Sequence, residues 1–320
     1  TRLLQEELKI LAGMRHPALL ALLGACVDPR APCIVQPLCT GGSLDDRLLL
    51  TPEATARLAH LGWSAAPPPL TVAQRIRILL DASSALLYLH SSVEGGGVQI
   101  KAPTLHRNVT AANILIGAHG EGCLADPLLL HATAVGDAKQ RSPSEFPAGY
   151  TDPHLSNSLE YSETTDGYGL GVVCLMCLTG TAAVDLWRQH KNIIRNPTNR
   201  AAWALAGTTA AGTGADERAA PWPEKAAVAL ATLAAGLAYE ADEDERLPLN
   251  AAVRKLQGIA RELNGEGPDS PKKDLDTAAA LAAAAGSPTA PRAAAGGVFG
   301  GPPGLWGAAG AGGGLWGAAG

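Results

Sequence analysis

Residues 105–115 read Leu105-His106-Arg107-Asn108-Val109-Thr110-Ala111-Ala112-Asn113-Ile114-Leu115, and the organisation of the chain unfolds from them. A His-Arg-amide triplet is followed, after four residues, by a second amide and an apolar pair. Polar groups packed this densely beside Val109, Ile114 and Leu115 describe a functional loop running into a short strand. The wider stretch 105–130 continues the pattern, with short apolar runs alternating with polar turns. Upstream, Thr71 supplies an N-cap and Gln74 closes a capping box. Ile76, Leu79, Leu80, Ser83, Leu87 and His90 then recur at helical spacing, and Gly95–Gly97 marks a loop.

Further outward the same logic continues. Residues 51–69 are rich in Ala and Pro and read as a surface insertion, while Leu44–Leu50 begins a helix after the loop Cys39-Thr40-Gly41-Gly42-Ser43. Leu19–Leu23 and Cys33–Leu38 fit two short strands joined by the turn Asp28-Pro29-Arg30. The opening residues read as helix, with Leu4, Leu8 and Leu11 on one face. Downstream, the helical pattern runs from Thr164, loosens near 196–220, and resumes at Glu224–Tyr239 and Ala251–Leu263. After Asn264 the composition turns to Pro, Gly, Ala and Ser, and Gly304–Gly310 recurs at Gly314–Gly320 as GLWGAAG. Such a segment cannot bury enough apolar surface to offset its ordering entropy, so it reads as a disordered tail.

Composition bounds the function. Hydrophobic residues are 47% of the 320 positions, enough for a sizeable core, although the scarcity of aromatics (4%) means that Ala inflates that figure. The net charge of −5 gives no electrostatic footprint for nucleic acid. No apolar run approaches the ~20 residues that a membrane span needs. The six cysteines are scattered and no signal peptide opens the chain, which predicts reduced thiols and a cytoplasmic location. Cys174 and Cys177 sit inside an apolar helical run and read as one buried helix face rather than a redox or metal motif.

The central stretch resembles the catalytic loop of protein kinases, whose pattern is H-R-D, four residues, then N. Its neighbours stand in the family's order. Glu7, Leu11 and Arg15-His16-Pro17 resemble helix C leading into strand 4, and Ile34-Val35-Gln36-Pro37-Leu38-Cys39 resembles strand 5 and the hinge. Gly41-Gly42-Ser43-Leu44 is similar to the start of helix D. Asp126-Pro127-Leu128 occupies the place of D-F-G, and Gly149-Tyr150-Thr151-Asp152-Pro153-His154 that of the G-Y-x-D-P-E end of an activation segment. Asp166-Gly167-Tyr168-Gly169-Leu170-Gly171 is similar to the start of helix F, while Ala220-Pro221-Trp222-Pro223 and Asp244-Glu245-Arg246 match the flanks of the last two helices. The details look most like the plant-type receptor-like cytoplasmic kinases, in particular those fused to a U-box. The resemblance covers residues 1–263 and starts after the glycine-rich loop and the strand 3 lysine.

The resemblance implies an α+β fold: a mainly helical C-lobe with a partial N-lobe of helix C and strands 4–5. The implied domains are residues 1–40 as partial N-lobe and hinge, 41–265 as C-lobe, and 266–320 as the disordered Ala/Gly/Pro-rich tail. It also implies ATP and Mg²⁺ as cofactors, held weakly or not at all by a chain without the glycine-rich loop. Asn113 and Asp126 take the two metal-ligand positions, with the hard oxygens that magnesium requires. Glu7 stands at the helix C glutamate, Gln36 at the gatekeeper, and adenine would bond the backbone of Pro37 (carbonyl) and Cys39 (carbonyl and N–H). His106, Arg107 and the orienting Asp166 are kept.

The reactive positions depart from the pattern. Asn108 replaces the catalytic aspartate, so the general base is lost; such assistance is worth ~10²–10⁴ in rate. Thr110 replaces the lysine that neutralises charge on the moving phosphate, removing electrostatic stabilisation. Pro127 fixes φ where the family has Phe, and Leu128 replaces a glycine, so the usual switch loses its freedom. His154 stands where a glutamate should pair with Arg246, which predicts an arginine short of its carboxylate, with Asp242, Glu243, Asp244 or Glu245 as substitutes. Structural residues stay while reactive ones go. That pattern predicts a pseudokinase: a binding or signalling scaffold with protein partners and no nucleic acid. The alternatives are a weakly active serine/threonine kinase, with Thr133, Ser142 and Ser144 as activation-segment phosphorylation candidates, and a fragment without function.

Overall fold

A computed structural model of the chain describes residue 8 and residues 11–28, 30–95, 98–125, 147–158, 161–186, 215–219, 221–238 and 245–266. The chain divides into two compact units, Thr1–Ala285 and Gly286–Gly320, and the second lies wholly outside the described residues. Within the first, the elements in order are β1 (Gly24–Cys26), β2 (Cys33–Val35), α1 (Leu44–Leu49), α2 (Pro52–His60), α3 (Val72–His90), β3 (Val93–Gly95) and β4 (Val98–Lys101). A 3-10 turn over Ala111–Asn113 leads to β5 (Ile114–Ile116) and β6 (Gly122–Leu124). There follow α4 (Pro153–Ser158), α5 (Glu163–Thr179), a 3-10 turn over Glu217–Ala219, α6 (Glu224–Ala238) and α7 (Leu249–Leu263). The strands form three antiparallel pairs, β1–β2, β3–β4 and β5–β6.

The core is built around α5. Every residue from Thr165 to Leu178 is buried, as befits a helix that is apolar on all sides. Ser162 and Thr165 close a capping box at its start, and Gly180 ends it in the left-handed region at φ 65°. Helix α6 packs along it, α3 and α7 pack on each other, and β6 lies against α3. Close approach of α5 and α6 depends on Gly171: a Cβ there would stand 2.8 Å from the Ala238 Cβ and 3.0 Å from the Ala234 carbonyl. Gly171→Ala is therefore expected to lower stability by about 1–3 kcal/mol through overpacking. A urea melt that is unchanged would remove the close-packing argument.

Helix α3 has the Thr71/Gln74 capping box that the sequence predicts. Of the expected face, Ile76, Leu79, Ser83 and His90 are buried while Leu80 and Leu87 are half-buried, and the core face extends further to Arg75, Ile78, Ala85, Leu86 and Leu89. Arg75 is tolerated at 1% exposure because all its polar reach is used. Its Nε donates to the Leu70 carbonyl (2.9 Å), Nη1 to the Cys177 carbonyl (2.7 Å) and Nη2 to Asp216 Oδ2 (2.7 Å). Burial would raise the Asp216 pKa, but hydrogen bonds and charge from Arg218 and Arg75 hold it below the ordinary carboxylate value.

Three sequence expectations shift. The first strand is Gly24–Cys26 rather than Leu19–Leu23. Leu19 and Leu20 instead join the C-terminal part of the fold, because Leu20 N–H donates to the Leu124 carbonyl (2.9 Å) and Leu124 N–H to Ala18 (2.8 Å). Residues 51–69 are more than a surface insertion. Thr51 and Pro52 start α2 well, its Leu58 and Ala54 are buried, and Arg57 pairs with Asp46 of α1 at 2.6 Å. Gly95 belongs to a strand rather than to a loop, because it ends β3 and pairs with Val98 of β4, while residues 96 and 97 lie outside the described residues. Cys174 and Cys177 are buried on α5, as read from the sequence. Among the described residues no helix is long and apolar enough to cross a membrane.

Candidate active site

Residues 105–113 are held from below by α5. Asp166, 2% exposed, accepts the backbone N–H of His106 on Oδ2 (2.7 Å) and of Arg107 on Oδ1 (2.7 Å). Its Oδ2 also meets Nε2 of the buried His90, at the end of α3, at 2.9 Å. Burial would push Asp166 up, but the bond and charge of His90 and the His106 N–H hold its carboxyl below the usual value. Arg107 takes φ 64°, a strained backbone for a residue with a Cβ. The two bonds to Asp166 over-determine that conformation, and the Arg107 guanidinium lies 5.2 Å from the Tyr161 ring centre.

His106 is fully buried and bridges two segments. The Asn108 backbone N–H, which can only donate, reaches His106 Nδ1 at 3.3 Å. The ring proton therefore sits on Nε2 and is given to the Ala125 carbonyl at 3.0 Å. Ala125 in turn donates its N–H to the Asn113 carbonyl (2.8 Å), so the loop and the end of β6 are stitched together.

Asn108 is half-buried, and its carbonyl accepts Nδ2 of Asn113 at 2.9 Å. That bond commits the amide nitrogen of Asn113 inward and leaves Oδ1 as the free oxygen. The side chain thus fits one magnesium ligand position, an oxygen donor held in place. Its proposed companion, Asp126, lies outside the described residues, as do Pro127, Leu128, Glu7 and the residues Thr133, Ser142 and Ser144. Among the described residues no group of three His, Cys, Asp or Glu side chains gathers as a metal centre.

Thr110 is buried, and its hydroxyl accepts the Asn113 N–H at 3.3 Å, capping the 3-10 turn. Its only hydroxyl is thereby engaged in local structure. Close beneath, Gly169 of α5 allows the Val109 carbonyl to approach: a Cβ there would stand 2.6 Å from that oxygen. Gly169→Ala is expected to displace the loop and destabilise the domain by about 1–3 kcal/mol. Unaltered amide shifts of Val109 and Thr110 in NMR spectra would count against that.

At the hinge, Gln36 and Cys39 are half-buried while Pro37 is exposed. The Cys39 carbonyl accepts the Gly42 N–H (3.2 Å), and Trp63 Nε1 donates to the Thr40 carbonyl (2.9 Å). No described residue bonds the Pro37 carbonyl or the Cys39 N–H through the backbone, which leaves both able to meet an adenine edge.

The expectation for Arg246 is overturned. Arg246 and Asp152 form a buried bidentate pair, Nη1 to Oδ2 at 2.5 Å and Nη2 to Oδ1 at 2.9 Å. The carboxylate two residues before His154 has taken the place of the missing glutamate, and Asp242, Glu243 and Asp244 lie outside the described residues. Sequence reasoning also missed Tyr150, whose hydroxyl accepts the Ala111 N–H (3.1 Å) and donates to Met176 Sδ (2.9 Å). This phenol links residues 147–151 to both the loop and α5. It missed the role of His90 as well, although a histidine on the apolar face of α3, before the His-Arg pair, was a usable signal.

A family model described as protein tyrosine and serine/threonine kinase matches residues 1–199 of this chain. The chain belongs to the protein kinase family. U-box domain-containing protein 52 of Arabidopsis thaliana is 29% identical over 277 residues, covering 83% of this chain and 29% of that relative. U-box domain-containing protein 33 from the same plant is 32% identical over 198 residues, 61% of this chain and 21% of the relative. Wall-associated receptor kinase-like 20, also from Arabidopsis thaliana, is 28% identical over 193 residues, 59% of this chain and 27% of its own length. The chain therefore spans less than a third of these relatives. Within that span the kinase fold accounts for the elements described above: β1–β2 as strands 4 and 5, α3 as the helix before the catalytic loop, and α5 as the central helix F.

Proposed function

We propose that this kinase domain is a pseudokinase, a binding or signalling scaffold that acts in the cytoplasm on protein partners. The observation that carries the reading is the pair of substitutions at the reacting positions. Asn108 stands at the base position with an amide of no useful basicity. Thr110 stands at the lysine position with its hydroxyl engaged as a helix cap. Phosphoryl transfer is mostly positioning and charge stabilisation, so losing one base and one cation removes two of its main contributions. Bound Mg²⁺ would supply neutralisation of the phosphate charge. Asn113 would offer it an amide oxygen, and the Pro37 carbonyl and Cys39 N–H would hold adenine.

The second reading, a weakly active serine/threonine kinase, is favoured by the loop framework. Asp166 holds the His106 N–H, His106 bonds the Ala125 carbonyl and Asn113 bonds the Asn108 carbonyl, and those bonds position rather than react. Transfer from labelled ATP with Mg²⁺, assayed in the full natural protein beside an active receptor-like kinase, separates the two. The scaffold reading expects a rate at least about 10²-fold lower; a rate within about tenfold of the active kinase sinks it.

A further inference from the structure

We propose that Cys26 on β1 and Cys33 on β2 form a redox modification site, a facing pair of thiols that closes to a reversible disulfide when hydrogen peroxide is present. The two are direct Cα partners in the antiparallel β1–β2 ladder, in register with the pairs Gly24–Val35 and Ala25–Ile34. Residues directly opposite each other in such a ladder send their side chains to the same face. Their Cα atoms stand ~4.5 or ~5.5 Å apart and their Cβ atoms ~4.5–5.5 Å apart. A disulfide needs Cα atoms ~4.4–6.8 Å and Cβ atoms ~3.5–4.5 Å apart. The strand pairing thus leaves only a small adjustment between two free thiols and a bond. Cys33 is exposed and Cys26 half-buried, so solvent reaches the pair.

The connection between the strands holds this register before any bond forms. Asp28 organises it: its carbonyl accepts the Ala31 N–H (3.0 Å), Oδ1 accepts the Arg30 N–H (2.9 Å) and Oδ2 accepts Arg30 Nη2 (2.6 Å). Pro32 fixes φ immediately before Cys33. At the far end of the ladder, Leu23 N–H donates to the Val35 carbonyl (2.9 Å). Groups held in this way react as if at high concentration, because the entropy of bringing them together is already lost. Cys33, the exposed member, meets the oxidant first. Its thiolate attacks peroxide, the O–O bond breaks, and the leaving hydroxide takes a proton to become water. Cys26 then attacks the resulting sulfenic acid as it loses its proton. The S–S bond forms, the S–O bond breaks and a second water leaves. Two thiols give up two electrons and one peroxide becomes two waters. The bond would pin β1 to β2 just ahead of Gln36 and the hinge, so oxidation acts on the strand that enters the candidate adenine site.

The other cysteines provide internal comparisons: Cys174 and Cys177 are buried in α5, and Cys39 and Cys123 are half-buried. The test treats the chain with hydrogen peroxide, blocks remaining thiols with N-ethylmaleimide, and maps non-reduced tryptic peptides by mass spectrometry. Trypsin cuts after Arg30, between the two cysteines. The expected result is a peptide ending at Arg30 joined to one beginning at Ala31, within a single chain, and separated by dithiothreitol. The second peptide also carries Cys39, so the link should persist in Cys39→Ser and vanish in Cys33→Ser. Wild type and Cys39→Ser decide the matter even where Cys33→Ser fails to fold. The link should also form at least about tenfold faster in the folded chain than in urea. Equal rates would overturn the proposal, because nearness in sequence rather than strand register would then make the pair. So would links found only between chains, or Cys33 oxidised to sulfinic acid while Cys26 stays free to alkylate. Both thiols still free at a peroxide dose that oxidises added glutathione would overturn it as well.

Discussion

Asp152→Ala is expected to lower the stability of the domain by about 3–5 kcal/mol, the typical effect of stranding one member of a buried ion pair. Both partners are almost inaccessible, with side-chain exposures of 2% for Arg246 and 1% for Asp152. Removing the carboxylate leaves a guanidinium with only the Tyr168 ring, 5.5 Å away, in the described surroundings of its charged end. The His154 N–H also loses its acceptor, Asp152 Oδ1 at 2.9 Å. Replacing both partners together, as Asp152→Leu with Arg246→Met, should cost less than the two single changes summed, because no buried charge is left behind. Urea unfolding of the four proteins measures this cycle. Additive losses, or an Asp152→Ala effect below about 1 kcal/mol, would mean that the pair does not anchor the fold. His154→Glu offers a further check: with Arg246 already paired, restoring the family's glutamate should stabilise far less than Asp152→Ala destabilises.

Asp166→Asn should be nearly as damaging and should act on the candidate site itself. One carboxylate oxygen serves the Arg107 N–H and the other serves both His106 N–H and His90 Nε2. An amide keeps only one oxygen and turns an NH₂ toward a donor. About 1.5–3 kcal/mol is at stake for each charge-assisted bond lost, and Arg107 would have less to hold it at φ 64°. The same carboxylate gives a pH signature. Its folded pKa lies below the ordinary value, so the stability it contributes is fully present above about pH 4 and is lost as pH falls through the folded value. Wild type should therefore lose stability with acid below about pH 4 more steeply than Asp166→Asn. Parallel pH profiles would show that Asp166 is not charged in the folded protein.

The kinase order of landmarks was legible because most of it consists of residues whose chemistry demands them. Thr71 and Gln74 cap a helix, Asp166 satisfies two backbone donors, and Gly169 and Gly171 lie where a Cβ has no room. What escaped was partner choice. The family resemblance matched Arg246 to the partner of position 154 and pointed for substitutes to Asp242, Glu243, Asp244 or Glu245. That Asp152, two residues earlier on a chain that turns into α4, takes the pairing is set by the fold. Composition hid Leu58, because an Ala- and Pro-rich run looks exposed even when α2 buries one face. Thr110 could be read as a missing cation. Its service as a cap is local geometry, set by the N–H of Asn113, and no residue count reveals it.

The most direct measurement is phosphate transfer from labelled ATP with Mg²⁺ by the full natural protein, wild type beside Asn108→Asp. Asn108 already has its backbone N–H on His106 and its carbonyl on Asn113, so the substitution changes the side chain while the loop stays in place. The wild type should show no significant transfer, and the restored carboxylate should bring a gain on the order of 10²-fold or more. Wild-type transfer equal to that of Asn108→Asp would contradict the pseudokinase reading, because the amide would then suffice and this chain would be a working kinase.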